Sequence, residues 1–287
     1  MLYVTVVILS FQAYNKWIAK EDNTVVEAGM QELGNMEGKE NKETDSMNDM
    51  SEMESDNHGT EDSHGHEEDS SSHEGSQVNA FIYNDQNNIK IYLKDKTGNP
   101  VDKLEVSHEK IFHLVIVDEQ LQKYYHLHPE RTGEGEFTIA NSLPEGYYKA
   151  FIDIKPTSYG YEVEPVPFVV GFPNSATHGH GLEPDITLTK TIDGKEVSLA
   201  VSSFKAGETV KLSFDLDQTN LTPYLGAMGH VVILNEYGKE YLHVHPLNDK
   251  KPVFETKFDK PGIYKIWAEF QQNGKVRAFP FVIEVTD

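Results

Sequence analysis

Hydrophobic and polar positions alternate with a period of two over much of the chain after Val78. Ile89, Ile91 and Leu93 alternate with Lys90, Tyr92 and Lys94, and Thr97-Gly98-Asn99-Pro100 then ends the run with turn residues. Such alternation turns one set of side chains toward a core and the other toward solvent. No long stretch carries a helical period, and turn signals recur roughly every 8–12 residues. The pattern predicts an all-β fold of short strands.

Two earlier segments break with it. Met1 to Tyr14 are mostly apolar, and Lys16 and Lys20 follow. A spanning helix needs ~20 apolar residues and a signal-peptide core ~7–15. Residues 1–20 therefore read as a signal anchor or a signal peptide. Either one places the rest of the chain on the extracytoplasmic face of the cell membrane or outside the cell. Residues 21–77 read as a linker. Within it, residues 21–76 hold 18 acids, two lysines and no Phe, Trp or Tyr. They cannot bury enough apolar surface to offset the entropy of ordering, and disorder is expected.

The β-rich part is a tandem repeat with an offset near 117. His113-Leu-Val-Ile-Val and Tyr125-His126-Leu127-His128-Pro129 recur as His230-Val-Val-Ile-Leu and Leu242-His243-Val244-His245-Pro246. Gly146, Tyr148 and Lys149 recur as Gly262, Tyr264 and Lys265, and Phe151 and Asp153 match Trp267 and Glu269. Two domains follow, 78–173 and 186–287, joined by a loop-like segment at 174–185 that contains His178 and His180. Each repeat is the size of an Ig-like β-sandwich with about seven strands. The predicted architecture is two tandem Ig-like sandwiches behind a hydrophobic segment and an acidic tail.

Composition narrows the function. The 287 residues carry 47 acids against 25 bases, a net charge of −22. That sign excludes a binder that tracks nucleic-acid phosphates. The absence of cysteine removes disulfides, thiolate metal sites, cysteine nucleophiles and lipoprotein lipidation.

The repeated histidines are the main chemical signal. In each copy the spacing is His-x12-His-x-His, giving His113, His126, His128 and His230, His243, His245. Residues two apart on a strand share a face, so each H-x-H pair points one way. Pairing of residue 113 with 126 or with 128 brings the first histidine onto the same face. Directly opposite positions have Cβ atoms ~4.5–5.5 Å apart, close enough for several imidazoles to share an ion. If His230 pairs with His243, Met228 falls opposite His245. The second copy then becomes a set of three imidazoles and a thioether, which is of copper type. The first copy has Ile111 at the matching place. His108 reads as a surface residue, and His178 and His180 as part of a flexible join. The tail adds Met47, Met50 and Met53 with His58, His64, His66 and His73. Thioethers favour Cu(I), and imidazoles suit Cu(II), Zn and Ni.

On these residues the chain resembles bacterial extracytoplasmic copper-handling β-sandwich proteins of the YtkA-like and CopC-like kind. The resemblance rests on Gly229-His230 with His243-Val-His245-Pro246, the copy at His113 and His126-Leu-His128-Pro129, and the methionine run. It is one of general character and transfers no ligand. The expectation is metal capture, buffering or delivery. The ion is copper as Cu(I) or Cu(II), with zinc second, and the partner is a membrane metal transporter or a metal chaperone. A structural or adhesive Ig-like surface protein without metal is the alternative. A metalloenzyme built on a histidine triad is less favoured. A cupin-like site asks for H-x-H followed by Glu and a later His, which neither copy offers, and no Ser-His-Asp motif or phosphate loop is present.

Overall fold

The computed structural model describes residues 75–173, 181–247 and 250–287, without the side chains of His243 and His245. The hydrophobic segment 1–20, the tail positions Met47, Met50, Met53, His58, His64, His66 and His73, and the join histidines His178 and His180 lie outside the described residues. All described residues belong to one compact unit.

The first repeat contains β1 (Val78–Asn84), β2 (Asn88–Asp95), β3 (His113–Asp118), β4 (Tyr124–Leu127), β5 (Glu130–Gly133), β6 (Glu136–Ala140), β7 (Gly146–Asp153) and β8 (Pro165–Val170). The second contains β9 (Thr189–Ile192), β10 (Lys195–Val201), β11 (Thr209–Leu216), β12 (Leu221–Thr222), β13 (His230–Asn235), β14 (Tyr241–Pro246), β15 (Val253–Lys257), β16 (Gly262–Gln272) and β17 (Lys275–Val285). The strand ladders are antiparallel. The first repeat has sheets ordered β1-β2-β6-β5 and β4-β3-β7-β8. The second repeats this plan with β10-β11-β15 on one side and β14-β13-β16-β17 on the other, and β14 joins both. These are two tandem Ig-like β-sandwiches.

The crossing between sheets falls at the His-Pro dipeptides. The sequence predicts one strand over 123–129. Instead β4 ends at Leu127, and β5 starts at Glu130 in the other sheet, paired with β6. Pro129 has no N–H for a ladder and sits where the chain leaves one sheet for the other. In the second copy β14 pairs with β13 through His243 and with β15 through His245 and Pro246.

Each repeat has its own apolar core. Ile89, Ile91, Leu93 and Phe137 pack against Leu114 and Ile116 in the first. Val210, Leu212 and Phe214 pack against Val231, Ile233 and Phe281 in the second. A second mark of the Ig-like fold is a tyrosine corner in each repeat. Tyr148 Oη donates to the Pro144 carbonyl at 2.8 Å, and Tyr264 Oη donates to the Lys260 carbonyl at 2.8 Å.

A third cluster lies between the repeats. Val115, Val117 and Phe151 of the first meet Val232, Leu234 and Trp267 of the second. Strands β3 and β13 are therefore covered on both faces, which is why both read as unbroken apolar runs rather than alternating ones. The contacts are reciprocal. Tyr124 stacks on Trp267 with centroids 4.9 Å apart, and its repeat equivalent Tyr241 stacks on Phe151 at 5.3 Å. The same face of each repeat is used, as in a two-fold interface. Aromatic pairs of this kind add about 0.5–1.5 kcal/mol each beyond burial.

Candidate metal centre between the repeats

The histidines occupy one end of this seam. In the first copy the register pairs Val115 with His126 and Leu114 with Leu127. One step further, His113 faces His128, which is the second of the two pairings the spacing allows. His113 shares the face of Val115 and Val117, so the triad points across the seam and not into its own sandwich. His113 is buried. Its Nε2 donates to the Ser107 carbonyl at 2.8 Å, and its Nδ1 lies 3.0 Å from His126 Nε2. A carbonyl can only accept, so His113 carries its proton on Nε2 and turns the Nδ1 lone pair toward His126. The His128 ring is 5.0 Å from that of His113 and 4.8 Å from that of His126.

The second repeat closes the group. His230 pairs with Glu269 across β13 and β16, as His113 pairs with Asp153 across β3 and β7. Glu269 Oε2 lies 2.7 Å from His126 Nδ1 and 3.5 Å from His230 Nδ1. The His230 ring is stacked at 5.9 Å and 10° on His113 and lies 4.7 Å from His126. Two donor groups result, His113/His126/His128 and His126/His230/Glu269, each with donor atoms within 4.8 Å of one another.

The electrostatics suit a cation. Burial would raise the Glu269 pKa, but the hydrogen bond with His126 and the nearby His230 ring outweigh it and hold the carboxyl well below its ordinary range. Burial, reinforced by His126 and His113, pushes His128 down to about 3, so its ring is neutral at ordinary pH, as a ligand must be. His128 Nε2 is buried with no hydrogen-bond partner among the described residues. A surface pocket of about 340 Å³ borders His128, Glu130 and Thr132. The imidazole and carboxylate donors, with a buried orphan nitrogen among them, fit a borderline divalent ion such as Cu(II) or Zn.

The second triad is arranged differently from its expectation. The register pairs His243 with Val232, not with His230. The pairing that would set Met228 opposite His245 is therefore not formed. Met228 precedes β13 and bridges Tyr224, and Gly229 with φ 141° interrupts the alternation between residues 228 and 230. The His230 ring lies 4.7 Å from that of His126 of the other repeat. The side chains of His243 and His245 lie outside what the structure describes.

Two participants were not read from sequence. His108, read as a surface residue, is half-buried, with its ring 6.1 Å from His113 and 5.7 Å from His230. Glu269 was visible as the repeat partner of Asp153. An acid kept at the same place in both repeats was the signal available for it.

Comparison with known proteins adds the following. A family model described as a domain of unknown function (DUF8832) matches residues 64–173 and 190–287. No curated protein matches the chain. Among solved structures, the Escherichia coli adhesin FdeC is similar at 13% identity and TM-score 0.23, over 74% of this chain and 65% of that one. The FN1-FN3 domains of chicken CNTN1 are similar at 8% identity and TM-score 0.23, over 74% of this chain and 67% of that one. This chain thus spans less than two thirds of the length of the FdeC chain it matches.

Proposed function

We propose that this chain, which belongs to the family of the domain of unknown function DUF8832, is an extracytoplasmic protein that captures a transition metal ion between its two β-sandwiches. The observation that carries this is the convergence on His126. His113 Nδ1 stands 3.0 Å from one of its nitrogens and Glu269 Oε2 stands 2.7 Å from the other, from opposite repeats. Copper is the favoured ion. Imidazole and carboxylate sites bind Cu(II) above Zn in the Irving–Williams order. The tail run Met47, Met50 and Met53 adds thioethers for Cu(I), and a membrane transporter or metal chaperone is the partner such a carrier would serve. The apolar segment Met1–Tyr14 supports a location at or beyond the membrane. Fractionation that finds the protein free in the cytoplasm would remove that part.

The test of metal capture is copper retained after loading and gel filtration, with the full chain compared to His113→Ala/His128→Ala/Glu269→Gln. The tail contributes equally to both. Lower retention in the variant is the expected result. Equal retention assigns the cluster to the fold alone.

A second reading has one observation of its own. Asp153, the repeat equivalent of Glu269, accepts a hydrogen bond from Tyr241 Oη at 3.1 Å, an ordinary hydrogen bond across the seam. Read the same way, His126 and Glu269 are a buried pair that orients two Ig-like modules of a surface or adhesive protein. Equal copper retention selects this reading.

A further inference from the structure

We infer that the cluster is a two-ion centre in which the His126 ring bridges the ions, Nε2 to one and Nδ1 to the other. The inference rests on the metal reading above and goes beyond it in stoichiometry and in the role of one ring.

The two nitrogens of an imidazole point their lone pairs in diverging directions in the ring plane. One ion cannot use both. His126 nevertheless has a donor set at each nitrogen. Nε2 faces His113 Nδ1 at 3.0 Å. Nδ1 faces Glu269 Oε2 at 2.7 Å, with His230 Nδ1 3.5 Å from the same oxygen. His126 is the residue shared by the two donor groups, three protein donors in each. Its side chain has no exposed surface, so neither nitrogen is there to meet solvent.

The tautomers point the same way. His113 donates from Nε2 to the Ser107 carbonyl and presents its Nδ1 lone pair. If His126 donates from Nδ1 to Glu269, its Nε2 also presents a lone pair. Two lone pairs 3.0 Å apart repel unless a cation lies between them. A proton shared by the two rings serves when no metal is bound. The second gap, between Nδ1 and the carboxylate, is likewise filled by a proton. Binding of two divalent ions replaces these two protons, which leave to solvent. His126 then carries a single negative charge as imidazolate, and each ion takes one of its electron pairs. No oxidation or reduction is involved. With metal–nitrogen bonds of ~2.0 Å on either side of the ring, the ions stand about 6 Å apart.

His128 and His230 complete the two sides. His128 Nε2, buried and without a hydrogen-bond partner among the described residues, belongs to the side bordered by the surface pocket. His230 and Glu269, neighbours across β13 and β16, belong to the other.

Cu(II) alone is the probe, added to the full chain and followed by electron paramagnetic resonance. An imidazolate-bridged pair is magnetically coupled and gives a half-field transition that isolated Cu(II) does not. The expected result is this transition in the wild type, its loss in His126→Gln, and two fewer copper equivalents bound by His126→Gln. Copper held by the tail is the same in both proteins and cancels. His128→Gln, at the pocket side, should lose the transition and one equivalent. Copper that is retained without a half-field transition in the wild type overturns the bridge and leaves metal capture standing. Equal copper uptake by the wild type and every variant overturns both. The wild-type spectrum decides the bridge even if His126→Gln fails to fold.

Discussion

His126 Nδ1 stands 2.7 Å from Glu269 Oε2, so a histidine of the first sandwich is paired with a carboxylate of the second. Both side chains are almost completely withdrawn from water. A buried pair of this kind contributes little net stability when intact, but removal of one partner leaves the other charged and desolvated. His126→Ala should therefore destabilise the metal-free protein by about 3–5 kcal/mol. The double variant His126→Ala/Glu269→Ala should cost less than the sum of the two single changes. Urea unfolding of the four proteins measures this. Additivity within ~0.5 kcal/mol would show that the pair is not coupled.

The seam also predicts behaviour in alkali. Burial, then the nearby Asp153 charge, raises the Tyr241 pKa well above its usual value, and burial, then Glu269, does the same for Tyr124. A group whose pKa is raised by folding contributes stability that is fully present below its unfolded value near ~10 and is lost as pH rises beyond it. Stability should hold up to about pH 10 and then fall. Tyr241→Phe should flatten that fall. Trp267, stacked on Tyr124, gives the fluorescence readout, with Trp267→Phe as the blank. An unfolding curve with the same pH slope in Tyr241→Phe would refute the assignment.

Alternation at Ile89, Ile91 and Leu93 marked β2 correctly because that strand has one covered face. The runs Leu114–Val117 and Val231–Leu234 are apolar at every position. Their lack of alternation was a sign of covering on both faces, and so of the seam. The offset near 117 gave the two triads and the shared face within the first. It could not give the partner of His230, because period and spacing describe pairing within a hairpin and are silent on what packs across it. Met228 was placed by extending a strand through Gly229. A residue at φ 141° ends that extension. The role of Glu269 was not legible, since its chemistry depends on a contact with His126, 143 residues away in the chain.

Metal binding should be linked to stability across the seam. An ion that binds only the folded state adds about 2.7 kcal/mol at 100 times its dissociation constant. Zn or Cu(II) should raise the melting temperature of the wild type. Glu269→Gln should lose most of that rise, although it lies outside the histidine triads. Met228→Leu should keep it, because Met228 lies outside β13 and its alternation is broken at Gly229. A melting shift that is lost in Met228→Leu and kept in Glu269→Gln would reverse the assignment of donors.

Gly229 links the backbone to the site most tightly. Its φ of 141° is a conformation that L side chains avoid. A Cβ there would lie 2.5 Å from a ring carbon of Phe270 and 3.1 Å from the Glu269 carbonyl. Phe270 cannot swing aside, being buried against Phe214 with centroids 5.3 Å apart. Gly229→Ala must therefore push the start of β13 away from β16. His230 and Glu269 pair at that point, so the change should act on both stability and site. The expected loss is roughly 1–3 kcal/mol, from overpacking and a forbidden φ together. Gly226→Ala is the control. Its φ is 83°, and its nearest contact would be the flexible Glu109 side chain at 3.6 Å. It shares the backbone strain without the clash, so it should lose stability and keep its copper affinity. Gly229→Ala should lose both. The two measurements are urea unfolding of the metal-free proteins and Cu(II) titration against a competing chelator. If Gly229→Ala binds Cu(II) as tightly as Gly226→Ala, the β13–β16 spacing at residue 229 does not set the position of His230.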